Sequence, residues 1–217
     1  WLADHKGRPA EGDAIATAAA WLKEGRILAV KGLGGFHLAC RADRDDVVAE
    51  LRRRKDREAK PLAMMAADLE SARRIVRADD AAIRALTSVA RPIVLAPKQP
   101  HADISRHVAP GTECYGVMLP YTPLHSLLFS QGLPPLVMTS GNPSAEPLCR
   151  DNDEALARLA RIADGFLLHN RDIARRVDDS VVISIPLADG ETVVMPLRRA
   201  RGYAPAPIRT PLRAPRP

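Results

Sequence analysis

Basic side chains are concentrated in residues 52–60, which read RRRKDREAK and include six basic residues and two acidic ones. The stretch closes a predicted helix, and Pro61 ends that helix because proline cannot continue it and restricts the residue before it. Cations at such a junction, beside the edge of an open sheet, are placed to bind an anionic ligand. Taken alone, however, the stretch is more typical of the solvated end of a basic helix.

A second polar segment follows a predicted strand in VMTSGNPSAEP, residues 137–147. Ser140 and Asn142 offer a hydroxyl, an amide and neighbouring backbone N–H groups, all of which suit anionic oxygens. Ser, Gly, Asn and Pro also favour a plain turn for local conformational reasons. The segment therefore predicts either an anion-binding loop or a simple turn.

The glycine-rich stretch KGLGGFH, residues 31–37, is not a dinucleotide fingerprint, because the last glycine of GxGxxG would fall on His37. The sequence contains no GxxxxGK[ST] phosphate-binding loop either. Lys31 lies at the end of a predicted buried strand, where lysine is rare unless its ammonium group meets an anion.

Other polar residues give weaker signals. His125 falls on a short predicted helix after Pro123, where a lone histidine is more often a structural hydrogen-bonding residue. A basic and acidic group near residue 175 predicts a surface ion-pair cluster formed by Arg171, Arg175, Arg176, Asp178 and Asp179. No carboxylate pair, Ser-His-Asp set or Cys-His arrangement has a persuasive setting, which disfavours hydrolytic and cysteine chemistry.

The three cysteines, Cys40, Cys114 and Cys149, are far apart in the sequence and form no CxxC motif. Their number and spacing support neither a disulfide framework nor a zinc site. We therefore predict no bound structural metal and a reducing, cytoplasmic environment.

The polar segments are positioned by a predicted alternation of helices and strands. Helices are expected over 13–24, 43–54 and 151–163, with Asp68 and Asp79 as N-caps of two shorter ones. Short apolar runs between turn residues predict strands in RILAVKG, FHLAC, PLAMMA, RPIVLAP, PPLVMTS and DGFLLH. Asp189-Gly190 predicts a hairpin turn between two late strands. The pattern indicates one mixed α/β sheet.

Composition and charge narrow the class of protein further. The net charge is +6, but six arginines and no acid lie after residue 197, so the remaining 197 residues carry 26 basic and 26 acidic side chains. A neutral body and 4% aromatic residues argue against a nucleic-acid-binding surface. The apolar runs are too short to span a membrane. We predict one domain over 1–203 and a Pro/Arg-rich linker over 204–217 that leads to a further domain.

In this order, six blocks resemble the YrdC-like domain of the hydrogenase-maturation carbamoyltransferases (HypF). They are KGLGGFHLAC, RRRKDREAKPLAMM, GVMLPYTPLH, VMTSGNPSAEP, DNDEALARLARIADGFLLHNRDIARRVDDSVV and PLRRARGYAP. The resemblance implies an α/β fold with a twisted mixed sheet, flanking helices and a concave ligand cavity. The wider YrdC family is similar through elements that map onto Lys55, Arg57, Lys60, Ser140, Asn142, Ser180 and Arg198.

The implied activity is the formation of carbamoyl-adenylate from carbamate and ATP, with Mg²⁺, and the release of pyrophosphate. Lys55, Arg57 and Lys60 are implied to hold phosphates, with Arg52 and Arg53 facing solvent. Ser140, Asn142, Ser180 and Arg198 are implied to bind the nucleotide across the cavity. Lys31 and His37 are expected near the carbamate, with Tyr121 and His125 as neighbours. No metal-ligating residue is assigned.

The resemblance also implies partners outside this sequence. In the family, acylphosphatase-like and zinc-finger domains precede this domain and a transferase domain follows it. The carbamoyl group passes to the C-terminal cysteine of an acceptor protein, on the way to the cyanide ligands of the nickel–iron hydrogenase centre.

Two alternatives remain open. One is threonylcarbamoyl-adenylate synthesis for tRNA modification, although the synthases typically show Pro-Thr-x-Thr-x-Tyr-Gly-Leu where this chain has VKGLGGFHL. The other is an RNA-binding module of the same fold, for which binding would depend steeply on salt and would not require a nucleotide.

Overall fold

The computed structural model of the chain describes residues 1–143 and 146–208. Its helices are α1 (Ala14–Glu24), α2 (Asp45–Lys55), α3 (Leu69–Ile75), α4 (Asp80–Thr87), α5 (Pro123–Phe129) and α6 (Asn152–Leu159). Its strands are β1 (Leu2–Asp4), β2 (Leu28–Lys31), β3 (Phe36–Arg41), β4 (Ala63–Met65), β5 (Ile93–Pro97), β6 (Cys114–Met118), β7 (Leu136–Ser140), β8 (Gly165–Leu167), β9 (Val181–Pro186) and β10 (Thr192–Arg198).

The strands form one twisted mixed sheet in the order β1-β8-β2-β3-β7-β4-β6-β5-β9-β10. The pairs β2/β8, β4/β6 and β5/β9 are parallel, and the other neighbouring pairs are antiparallel. The sheet order mixes early and late strands, so residues that are distant in sequence meet on one surface. The predicted mixed α/β fold is confirmed.

The helices begin where short polar side chains can accept hydrogen bonds from free backbone N–H groups. Asp13, Asp68 and Asp79 accept from the third residue after each of them, at the starts of α1, α3 and α4. Gly25 ends α1 in a left-handed conformation, with φ of 97°. The N-caps predicted at Asp68 and Asp79 are confirmed, and the Asp13 cap lies at the start of the helix predicted over 13–24.

Apolar side chains pack on both faces of the sheet. On one face, Phe36, Leu38 and Cys40 of β3 belong to a cluster that includes residues of α2, α3, α4 and α6. On the other face, α1 and α5 cover Leu28 and Val30. The second face is therefore covered by fewer helices in the described residues, and part of it is open to a ligand.

Most predicted elements are present, but their limits differ. The helix predicted over 151–163 covers only Asn152–Leu159, and the predicted strand DGFLLH contributes three residues to β8. The hairpin is confirmed, with Gly190 at a φ of 85°. Strands β1 and β6 were not predicted, because each is short and has no alternating apolar pattern that distinguishes it from a loop.

Three further expectations concern membrane-spanning helices, the cysteines and the C-terminal linker. Within the described ranges, none of the helices is long and apolar enough to cross a membrane. All three cysteines are free thiols, and burial raises the pKa of Cys149 to about 11. The linker predicted over 204–217 lies outside the described residues from position 209 onward.

Candidate functional site

A cavity of about 330 Å³ lies over the part of the sheet that α1 and α5 leave open. Its floor comes from β4, β5, β6, β7 and β9, and it includes apolar residues such as Ile93 and Met138. Gly116 of β6 contributes space, because a Cβ there would lie 3.0 Å from Ile93 and 3.2 Å from Leu95. The cavity thus has an apolar floor and a polar wall, as ligand pockets commonly do.

Four basic side chains line the polar wall: Arg57, Lys60, Arg198 and Arg201. The Arg57 guanidinium donates to the carbonyls of Lys60 (3.2 Å) and Pro61 (2.8 Å), which directs it along the loop after α2. Burial and the charges of Arg52 and Arg198 lower the pKa of Arg57. Neighbouring cations that repel one another favour an anionic ligand.

Arg52 does not face solvent, so its prediction as an exposed residue is wrong. Its side chain is 7% exposed in relative area, and its guanidinium donates to five backbone carbonyls. Those carbonyls belong to Arg57, Glu58, Lys60, His107 and Val108. Arg52 therefore holds the loop that carries Arg57 and Lys60, while Arg53 is exposed and pairs with Glu50.

Lys55 lies beneath the 140–142 loop and is not among the residues that line the cavity. Its ammonium group donates to the carbonyls of Ser140 (2.5 Å) and Asn142 (2.6 Å) and to Oδ1 of Asn142 (3.0 Å). Burial and the charges of Arg57 and Lys60 lower the pKa of Lys55 to about 7. The three acceptors oppose that shift because they favour the charged form. These contacts are those of a residue that positions the loop.

The loop after β7 brings Ser140 to the cavity, whereas Asn142 is turned toward Lys55 and the carbonyl of Glu146. Gly141 allows the close approach of this loop to β3, because a Cβ at position 141 would lie 2.6 Å from the Phe36 carbonyl oxygen. The N–H of Gly141 donates to that oxygen at 2.7 Å. The backbone geometry thus fixes Ser140 at the cavity edge.

Asp179 joins two other residues of the wall. Its carboxylate accepts from Nε2 of His37 at 2.8 Å and from Nε of Arg201 at 2.7 Å. Burial raises the pKa of Asp179, but the charges and hydrogen bonds of His37 and Arg201 outweigh this and leave it below its usual range. The Arg201 guanidinium also lies 3.5 Å from the ring centre of Tyr121.

Two further predicted site residues, Lys31 and Ser180, also lie away from the cavity surface. Lys31 pairs with Phe36 in the sheet and His37 with Val30, so Lys31 and His37 point to opposite faces. The Lys31 ammonium donates to the His169 carbonyl at 3.1 Å. Ser180 is fully buried, and its hydroxyl donates to the Arg201 carbonyl and accepts from the Ala200 N–H.

His125 lies on the predicted short helix after Pro123 and is completely buried behind Tyr121 and His37. Its ring centre is 4.6 Å from that of Tyr121 and 6.2 Å from that of His37. Burial and the charge of His37 lower the pKa of His125 to about 3, so the ring is neutral. Neither ring nitrogen has a hydrogen-bond partner among the described residues.

The predicted residues that the fold brings to the cavity are therefore His37, Arg57, Lys60, Tyr121, Ser140 and Arg198. Asp179 and Arg201 were missed. The prediction that Asp179 belongs to a surface ion-pair cluster is wrong, because its side chain is only 11% exposed. The sequence signal that could have indicated a buried Asp179 is the triplet Asp178-Asp179-Ser180 before an apolar strand, because an acidic residue next to a buried strand can itself be buried if it is paired.

No three His, Cys, Asp or Glu side chains come together as metal ligands in the described ranges. The predicted absence of a structural metal remains a prediction.

The Sua5_yciO_yrdC family model, described as telomere recombination, matches residues 20–199. A carbamoyltransferase HypF from Rhodobacter capsulatus is 52% identical over 211 residues, which are 97% of this chain and 27% of that protein. HypF2 from Cupriavidus necator is 48% identical over 226 residues, 96% of this chain and 28% of the relative. The chain thus spans about a quarter of the length of the curated relatives it matches.

Solved structures show the same similarity. A crystal structure of full-length HypF in the phosphate- and nucleotide-bound form is 46% identical with a TM-score of 0.87, covering 94% of this chain and 26% of that one. HypF of T. kodakarensis is 42% identical with a TM-score of 0.88, covering 97% of this chain and 27% of that one. Sua5 of P. abyssi complexed with L-threonine is 18% identical with a TM-score of 0.72, covering 88% and 56%, and shares the fold.

Proposed function

The chain belongs to the Sua5_yciO_yrdC family, and from that premise we propose that it binds ATP and converts carbamate into carbamoyl-adenylate. The observation that carries the proposal is the group of cations on one wall of the cavity, beside the hydroxyl of Ser140. The similarity over nearly the whole chain to carbamoyltransferases, one of which has been solved with phosphate and nucleotide, supports it.

In the proposed reaction, a carbamate oxygen attacks the α-phosphorus of ATP. An oxygen–phosphorus bond forms, the bond from that phosphorus to the bridging oxygen breaks, and pyrophosphate leaves with the bonding electrons. Carbamate already carries its negative charge, so no general base is needed. The protein has to stabilise the charge that develops on the phosphate oxygens.

We assign that task to Arg57, Lys60 and Arg198. Arginine can form paired hydrogen bonds with phosphate oxygens, and lysine supplies a point charge. The hydroxyl of Ser140 would orient a phosphate oxygen. Lys55 and Arg52 would act indirectly, because they hold the two loops that present Ser140 and Arg57.

The carbamate would bind beside the phosphates, because His37 and Ser140 are paired directly across β3 and β7. His37 and Tyr121 line the cavity there, and His125 packs behind them as a neutral ring. The described residues offer no cluster of carboxylates that would hold Mg²⁺ by themselves. The ion would therefore enter with the phosphates, as part of the MgATP substrate.

Within a longer polypeptide, the adenylate would be consumed by a carbamoyl transfer step in hydrogenase maturation. We propose the partners that the family resemblance implies: acylphosphatase-like, zinc-finger and transferase domains, and an acceptor protein with a C-terminal cysteine.

Threonylcarbamoyl-adenylate synthesis has less support, because the Sua5 structures share only 17–18% identity with this chain.

The test is carbamate-dependent exchange of radiolabelled pyrophosphate into ATP by the chain, with ammonium carbamate as the donor and MgCl₂ present. We expect exchange that requires carbamate and is not increased by L-threonine. Binding of ATP without any carbamate-dependent exchange would contradict the proposal. Exchange that requires L-threonine and bicarbonate would favour the alternative synthase activity.

A further inference from the structure

Asp179 contacts three of the groups that form the cavity wall. Its carboxylate binds His37 and Arg201, and its backbone carbonyl accepts from Nε of Arg198 at 2.8 Å. The side chain is 11% exposed, so its bonds to His37 and Arg201 are largely shielded from water. One residue thus contacts both an imidazole and two guanidinium groups that face the same ligand space.

Arg198 and Arg201 differ in how many of their guanidinium nitrogens already donate hydrogen bonds within the protein. Arg201 also donates to the carbonyls of Ala90 (3.0 Å) and Arg91 (2.8 Å), so all three of its nitrogens have acceptors. Arg198 has a single hydrogen bond among the described residues, through Nε. The terminal nitrogens of Arg198 are therefore available to phosphate, whereas Arg201 is already neutralised by Asp179.

The bond to His37 also has a defined direction. An ionised carboxylate only accepts hydrogen bonds, so Nε2 of His37 must carry the proton. Nδ1 is buried next to the Gly32 backbone, and a Cβ at position 32 would lie 3.4 Å from it. The imidazole is therefore held edge-on against Asp179, which fixes the position of the Nε2 proton.

We propose that Asp179 is a positioning residue for the adenylation reaction: it keeps Arg201 and His37 bound to itself, so that the phosphates bind Arg57, Lys60 and Arg198. This inference rests on the proposed function. Without the carboxylate, Arg201 would compete for the phosphates and bind ATP in orientations that do not react. Such binding strengthens the ground state without stabilising the transition state.

The test compares Asp179→Asn with Asp172→Asn. Asp172 precedes Asp179 in the same segment, is exposed and does not line the cavity, and its carboxylate has no hydrogen-bond partner in the part of the chain that the structure describes. Both variants remove one negative charge. We expect the KM for ATP to stay equal or fall in Asp179→Asn and to stay near that of the wild type in Asp172→Asn. We expect kcat to fall at least about tenfold in Asp179→Asn and to stay within about twofold in Asp172→Asn.

Asp179→Glu is the second variant, because it retains the charge and is expected to preserve folding. It should leave the KM for ATP near that of the wild type while kcat falls several-fold, since the carboxylate is displaced by one methylene. Histidine ¹⁵N spectra provide a readout that does not require turnover. The wild type and Asp172→Asn should show His37 protonated at Nε2, and Asp179→Asn should show a changed signal.

A wild-type kcat in Asp179→Asn, or an unchanged His37 signal, would overturn the positioning role. A rise in the KM for ATP together with a loss of folding stability, in both Asp179 variants, would also overturn it, because that pattern indicates a purely structural residue. If the wild type itself shows no carbamate-dependent exchange, the proposed function fails. The positioning role is then decided by the His37 spectra and by the affinity for a non-hydrolysable ATP analogue, measured by calorimetry.

Discussion

Single residues in the basic stretch have distinct roles that depend on which carbonyls lie nearby. Arg52 and Arg57 are five positions apart, yet Arg52 is enclosed by five backbone carbonyls and Arg57 lines the cavity. Sequence reasoning predicted the cluster of cations, because its density is visible in the composition. It could not predict the partners of each guanidinium, since those are set by loops that fold back from residues 57–60 and 107–108.

The first prediction concerns Arg57. Replacing it with alanine would remove the proposed charge-assisted hydrogen bond to the phosphates, worth roughly 1.5–3 kcal/mol. We expect carbamate-dependent pyrophosphate exchange to slow by about 10- to 100-fold. Arg57→Lys retains the charge without the planar group and should recover only part of the rate.

The control for Arg57 is Arg53→Ala. Arg53 is exposed, and its ion pair with Glu50 on the surface of α2 contributes little to stability. Its alanine variant should exchange pyrophosphate at nearly the wild-type rate, whereas Arg52→Ala is unsuitable because it removes a buried structural cation. Equal rates for Arg57→Ala and Arg53→Ala would mean that Arg57 does not act on the phosphates.

The second prediction concerns the pH dependence that Lys55 confers. The pKa of Lys55 is about 7 in the folded protein, whereas an unfolded lysine titrates near 10.4. Between these values the unfolded chain binds more protons, so the free energy of unfolding rises with pH, by at most about 1.4 kcal/mol per pH unit. Below pH 7 both states are protonated and this contribution no longer changes.

Lys55→Met removes that titration while retaining a long side chain. Urea unfolding of the wild type and the variant at several pH values from 6 to 9.5 should give curves whose difference grows in favour of the wild type above pH 7. Parallel curves would mean that the three carbonyl acceptors keep the Lys55 pKa close to its unfolded value.

Among the secondary-structure elements, those with strong local signals were predictable and those defined by their neighbours were not. Aspartate N-caps and a glycine C-cap act within one turn, so α1, α3 and α4 could be located from the sequence. Strand β6 contains Gly116 and a polar end, and it is a strand because β4 and β5 pair with it on both sides. Such pairing is a tertiary effect and leaves no local pattern.

The third prediction concerns the contact between the glycine-rich turn and the segment before β9. Gly34 accepts a hydrogen bond from the Val177 N–H at 3.0 Å, and a Cβ on Gly34 would lie 2.3 Å from the Val177 carbonyl oxygen. Gly34→Ala must therefore displace the backbone that carries Asp179. We expect about 1–3 kcal/mol lower stability by urea unfolding and weaker ATP binding by calorimetry.

Leu33→Ala is the matched control, because Leu33 lies in the same turn and is 45% exposed. It should change the unfolding free energy by less than about 0.5 kcal/mol. If Gly34→Ala and Leu33→Ala behave alike, the turn does not depend on close backbone approach to Val177.

In the molecule as a whole, the order of the strands in the sheet is the feature that local sequence patterns could not predict. The chain starts at one edge with β1 and reaches the other edge with β10, while the central strands come from several parts of the sequence. The cavity accordingly collects His37, Arg57, Ser140 and Arg198 from widely separated positions. A resemblance to a family gave six of the residues that line the cavity, but local patterns could not give their arrangement in space.

The final prediction follows from this collection of distant segments around one cavity. Because the wall residues come from β3, the loop after α2, β7 and β10, a nucleotide bound in this cavity would link these segments and stabilise the sheet as one unit. ATP at about 100 times its Kd should raise the free energy of unfolding by about 2.7 kcal/mol. Calorimetric melting should show a single transition whose Tm rises with ATP concentration, and Arg57→Ala should need more ATP for the same rise than Arg53→Ala.

Two transitions, of which ATP shifts only one, would show that the hairpin of β9 and β10 unfolds independently of the rest of the sheet. The cavity would then be assembled from two separately stable parts, and the contact of Asp179 with His37 would join them.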